Sequence, residues 1–228
     1  MMETAYTPPL GVAALTPLYD RVLRVMTREA TWRTRLVERI APKEGDIILD
    51  VGSGTGSLAI ALTAATPGCR VRGIDPDHDA VELAKKKAAL AGSSATFEQG
   101  NLDLPRTQNE GGVDTITCSL VLHQVPLAEK MRLLRAMFVR LRPGGQWFIA
   151  DYGLQPNFIM RLAFRLTVQM LDGKSDTQPN ADGVLPLLIE EAGFVGITLL
   201  DSFDTATGRI DIIRAEKPQG ARSKAQKR

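Results

Sequence analysis

The sequence predicts an α/β fold doubly wound around a mostly parallel sheet, and three observations carry that prediction. Short apolar runs alternate with helical stretches from residue 47 to 151, the pattern of strands buried on both faces and joined by crossover helices. The first run, Ile47-Ile48-Leu49-Asp50-Val51, stops at a turn containing Gly52, Gly54 and Gly56 and passes straight into a helix. The second, Arg70-Val71-Arg72-Gly73-Ile74-Asp75, ends in an acid 25 residues after Asp50.

Each element follows in order. Glycines at 52, 54 and 56 let the backbone take positive φ and let a ligand approach the main chain closely. Thr55 or Ser57 is expected to cap the next helix, Leu58 to about Ala65. A dinucleotide fingerprint needs G-x-G-x-x-G, and Ser57 stands where that pattern wants Gly or Ala. The spacing is G-x-G-x-G, which disfavours a nicotinamide-dependent dehydrogenase. Asp75, at a strand end before Pro76, can accept from two ribose hydroxyls and would repel a phosphate. Ala95–Leu102 supplies the third strand and its exit, where Asn101 and Asp103 follow.

Val113–Leu120 is the fourth strand, opening through Ser119 into Val121-Leu122-His123-Gln124-Val125-Pro126. Leu127, Met131, Leu134, Phe138 and Leu141 then form one core-facing helical stripe. The Leu141-Arg142-Pro143-Gly144-Gly145 turn leads into a fifth strand, Gln146 to Asp151. One helix is expected over Phe158–Leu171, and another over about Val184–Ala192, with Pro186 in its first turn. Gly193 suits a left-handed C-terminal residue. Val195–Phe203 and Arg209–Glu216 read as two further strands. At the N-terminal side, Thr16-Pro17 starts a helix, and a second covers about Trp32–Ile40.

The G-x-G-x-G turn after Asp50, Asp75 at the second strand end and the Leu-Arg-Pro-Gly-Gly turn resemble the class I S-adenosylmethionine-dependent methyltransferases. Within them, the chain is similar to the ubiquinone/menaquinone biosynthesis group. The resemblance implies a Rossmann-like seven-stranded sheet of order 3-2-1-4-5-7-6 with an antiparallel last strand. It also implies S-adenosylmethionine as methyl donor, S-adenosylhomocysteine as product and no metal. Cofactor contacts are implied for Asp50, Gly52, Ser53, Gly54, Gly56, Asp75, Pro76, Leu102 and Ser119, with Asn101 or Asp103 at the adenine amino group. Tyr19-Asp20 matches a Tyr-Asp pair in N-terminal helices that fold over the cofactor, so residues of about 15–41 are expected to form a lid. The acceptor half departs from the group: Arg21 to Arg24 follow Tyr19-Asp20, and Asp151-Tyr152-Gly153 replaces Glu-x-Ser.

That fourth-strand exit faces the reactive methyl in the family. It lacks the Asn/Asp-Pro-Pro-aromatic tetrad of base and glutamine methylation, the Pro-Cys pair, paired glutamates and a carboxylate cluster for magnesium. What remains fits metal-independent O-, N- or C-methylation of a small acceptor, including a lipophilic one. His123 is placed either as a base or as a pocket residue, and Asp151 and Tyr152 as acceptor contacts. The alternative is a cofactor-binding regulatory or assembly protein without transferase activity.

Composition sets the remaining bounds. The chain has 228 residues, 44% of them hydrophobic and 24% charged, enough for one full core. Two cysteines give no disulfide framework, and with no basic leader the expected compartment is the cytoplasm. Formal charge is +2, but four basic residues fall in Gln219–Arg228. The body is therefore nearly neutral, a poor fit to a nucleic-acid partner, and the polar tail reads as disordered. The expected state is a monomer or homodimer. The Phe158–Leu171 segment, with Arg161 and Arg165 one turn apart, is too short and charged to cross a bilayer. It fits a sheet-covering helix, an acceptor wall, or a dimer or membrane-surface face.

Overall fold

The computed structural model describes residues 25–102 and 112–220. Its strands are β1 (Ile47–Val51), β2 (Arg70–Asp75), β3 (Thr96–Gln99), β4 (Val113–Ser119), β5 (Leu141–Tyr152), β6 (Val195–Thr205) and β7 (Gly208–Glu216). They form one sheet in the expected order β3-β2-β1-β4-β5-β7-β6. β7 runs antiparallel to both β5 and β6, and the other pairings are parallel.

Helices cover both faces, as crossover connections between parallel strands require. They are α1 (Glu29–Ile40), α2 (Ser57–Ala65), α3 (His78–Leu90), α4 (Leu127–Arg140), α5 (Phe158–Leu166), α6 (Val168–Asp172), α7 (Lys174–Ala181) and α8 (Leu185–Glu191). Strand side chains alternate between two cores. Ile48, Phe148 and Ala150 join Trp32, Leu36, Leu58, Leu62 and Val81 on one face. Leu49, Trp147 and Ile149 join Leu134, Met137, Leu185 and Ile189 on the other. No helix among the described residues is long and apolar enough to cross a membrane.

Several expectations need correction. Gly56, at φ +76°, occupies the N-cap of α2, which has no side-chain cap. The hydroxyls of Ser57 and Thr55 instead accept from the Lys87 ammonium of α3, at 2.7 and 3.0 Å. The single helix over Phe158–Leu171 is broken at Thr167, whose Oγ1 donates back to Ala163 O at 2.7 Å and whose backbone is distorted to φ −118°, ψ −78°. A further helix, α7, follows. β5 begins at Leu141, with the Pro143-Gly144-Gly145 turn as an irregularity inside its pairing with β4.

Candidate cofactor turn and the His123–Asp151 pair

Sheet order reverses direction at β1, between β2 and β4, and the crevice outside these strand ends is where open α/β sheets bind ligands. The glycine turn fills its floor. Gly52 takes φ +67°, and a Cβ there would meet Val121 Cγ2 at 2.3 Å. Gly54, at φ +49°, has no atom of the described residues within 4 Å of its Cβ position. Its open face leaves backbone within reach of a ligand. Gly73 was not read from the sequence as part of the site. A Cβ at that position would meet Ser53 Cβ at 2.7 Å, so β2 accepts the turn only without one.

Asp75 anchors the turn. Its Oδ2 accepts from Gly54 N at 2.7 Å and its Oδ1 from Asp77 N at 2.9 Å. Burial raises its pKa, while the two backbone N–H groups act against that rise. Each oxygen keeps a lone-pair site for a hydroxyl donor. Asp50 is buried in β1, with Oδ1 accepting from Thr117 Oγ1 at 2.7 Å. Burial pushes its pKa to about 7, against the Thr117 bond and the charge of Arg33. Among the described residues, Asp50 Oδ2 and Ser53 Oγ have no hydrogen-bond partner. Buried polar atoms left unpaired cost free energy, and a cationic, hydroxyl-bearing ligand matches these acceptors. The turn fits an adenosyl amino acid.

Pro76 and Asn101 are exposed at neighbouring strand exits, Leu102 is buried and Ser119 is half-buried at the end of β4. Tyr19 and Asp103 lie outside the described residues, so the choice between Asn101 and Asp103 stays open. Leu120, immediately after β4, takes φ +55°, a left-handed conformation unusual for leucine.

Beyond β4, a 3₁₀ turn (Leu122–Gln124) holds His123, which is 3% exposed. Its Nδ1 lies 2.7 Å from Asp151 Oδ1 and its Nε2 3.5 Å from Asp172 Oδ2. Burial disfavours the charged ring, but Asp151 and then Asp172 outweigh it and lift the pKa to about 9. Asp151 also accepts from the backbone N–H groups of Leu122 and Tyr152, both at 2.7 Å, and of His123 at 3.4 Å. At 1% exposure with its oxygens so committed, it orients His123 and the turn. Tyr152, expected at the acceptor, is buried; its hydroxyl bonds Thr207 Oγ1 at 2.7 Å and its ring meets His123 edge-on.

Two residues of this cluster escaped sequence reading. Asp172 closes the Nε2 side of the ring. Lys130, fully buried, donates to Leu122 O, Val125 O and Asp176 O at 2.5, 2.6 and 2.8 Å. It thereby ties the His123 turn to α7. Their only sequence signal is a charge on a helix, which usually faces solvent. A separate cavity of about 480 Å³ lies at the opposite, amino-terminal edge of β1, β2 and β4 and touches none of these residues.

Known methyltransferases share this fold. Residues 48–145 match the family model of a methyltransferase domain. Demethylmenaquinone methyltransferase of Thermus thermophilus is 28% identical over 158 residues, covering 68% of this chain and 70% of that one. Ubiquinone biosynthesis O-methyltransferase of Vibrio parahaemolyticus is 31% identical over 106 residues, covering 46% of this chain and 43% of that one. The magnesium protoporphyrin IX methyltransferase of Synechocystis, solved with bound S-adenosylhomocysteine, shares the fold. Its TM-score is 0.67 at 20% identity, covering 89% of this chain and 95% of that one. The chain is an S-adenosylmethionine-dependent methyltransferase resembling the ubiquinone/menaquinone biosynthesis group.

Proposed function

We propose that the protein methylates a small lipophilic acceptor of the quinol type at the crevice between the glycine turn and His123. The observation that carries this reading is the His123–Asp151 pair, held at the exits of β4 and β5 beside the strand end that bears the glycine turn. Similarity to quinone-biosynthesis methyltransferases supports the acceptor class.

When bound, S-adenosylmethionine supplies a methyl group already activated on a sulfonium. The protein's part is alignment and proton handling. Asp75 would hold the ribose hydroxyls, Asp50 and Ser53 the amino-acid end, and the backbone at Gly54 the close approach. Asn101 or Asp103, with Leu102, would serve the adenine, and Ser119 and Pro76 would line the crevice. Asp151 holds Nδ1–H of His123, leaving Nε2 as the atom that accepts a proton from an acceptor hydroxyl. Asp172 occupies that face and must yield to the acceptor. Residues 15–41 would act as a lid. Of these, α1 is described: its Trp32, Leu36 and Ile40 enter the core, and Arg33 favours ionisation of Asp50. Free, buried Cys69 and Cys118 suit the reducing cytoplasm.

Incubation with methyl-labelled S-adenosylmethionine and a panel of reduced quinones and phenols tests the reading. Label in a quinol product supports it. Transfer confined to hydrophilic acceptors would contradict it.

A further inference from the structure

α5 has two apolar faces. Phe164 turns inward and packs against Tyr152, the rings tilted by 59° with centroids 5.1 Å apart. Phe158, Ile159, Leu162 and Leu166 turn outward at helical spacing, Phe158 77% and Ile159 69% exposed. Met170 of α6, at 74%, extends the same outward patch. Arg161 and Arg165 flank it. They also line a cavity of about 120 Å³ with Lys174, Gln169 and Gln178. Arg161 pairs with Asp182 at 3.2 Å; Arg165 makes no ion pair among the described residues.

We propose that this segment is a docking surface for an anionic phospholipid bilayer, with a lipid phosphate between Arg161, Arg165 and Lys174 and acyl chains against Phe158, Ile159, Leu162 and Leu166. Contiguous apolar exposure rimmed by cations is the chemistry of a helix lying in the membrane interface. Guanidinium groups bind phosphate through paired N–H donors, and their stems lie along apolar surface. Charge selects the occupant: a second copy would bring the same arginines against these, whereas an anionic headgroup neutralises them. The surface backs onto Tyr152 and hence onto His123, so a docked enzyme would hold its site beside the lipid phase. The inference does not depend on the proposed acceptor, because membrane binding is read without any methyl transfer.

Sedimentation of the full chain with vesicles of equal parts phosphatidylglycerol and phosphatidylcholine, against vesicles of phosphatidylcholine alone, tests it. Binding to the mixed vesicles, weakened by salt, is expected. Phe158→Ser with Ile159→Ser should reduce it by about tenfold or more. Arg161→Gln with Arg165→Gln should abolish the preference for the anionic vesicles. Both variants change exposed side chains, and an unchanged melting temperature confirms that they fold. No binding by the natural sequence overturns the proposal. So does binding that survives both variants and disappears on removal of residues 221–228. Concentration-dependent dimerisation abolished by Phe158→Ser, without vesicle binding, would give the face to a second copy. Occupation of the arginines by inorganic phosphate without vesicle binding would make the cavity a soluble-anion site. Either result contradicts lipid docking.

Discussion

His123 Nδ1 lies 2.7 Å from Asp151 Oδ1, with both side chains buried, and Asp172 faces the other ring nitrogen at 3.5 Å. The ring is thus held in one orientation by a residue that no ligand needs to touch. His123→Ala should lower turnover by about 10²–10⁴-fold while leaving cofactor affinity nearly unchanged. Because the pair lifts the imidazole to about 9, the rate should climb with pH toward that value. Asp172→Asn removes one of the carboxylates responsible and should move the limb to lower pH. A pH profile of single-turnover rates checks both; an unmoved limb in His123→Ala would assign it elsewhere.

Stability should follow the same titration. His123 has a folded pKa above the ordinary 6.5, so its contribution is fully present below that pH and is lost as pH rises through about 9. Asp50 is also raised, to about 7, and its contribution fades through neutrality in the ligand-free protein. Denaturant midpoints across this range should fall with pH. In His123→Gln the part of the fall near 9 should vanish.

Lys130→Met would leave one buried and two partly buried carbonyls without their donor. The expected cost is about 2–5 kcal/mol, measured by urea unfolding. A turnover loss larger than the loss of folded protein is expected, since the bonds at Leu122 and Val125 flank His123.

Much of this site was legible because its chemistry is local in the chain. Asp50, the three glycines and Asp75 stand at strand ends whose apolar runs announce them. Strand order came from family likeness, since residue patterns give strands but not neighbours. Asp172 was not legible: it reaches the His123 ring from about 50 residues away, and only after Thr167 breaks the expected helix. The capping roles given to Thr55 and Ser57 failed for a similar reason, because Lys87 arrives from α3 to take their hydroxyls.

Gly52→Ala should damage the glycine turn selectively. A non-glycine residue at φ +67° costs about 1–3 kcal/mol, and the added methyl meets Val121. Thermal unfolding should show a drop of that order, with S-adenosylhomocysteine affinity falling further. Equal affinity in both proteins would mean the turn does not shape the binding surface.

The proposed cofactor seat is the glycine turn together with Asp75. Calorimetric titration of S-adenosylhomocysteine into the natural protein and into Asp75→Ala tests it most directly. Binding by the natural protein, weakened by about 1–3 kcal/mol in Asp75→Ala and partly retained in Asp75→Asn, is the predicted result. An unchanged dissociation constant in a folded Asp75→Ala protein would contradict the account.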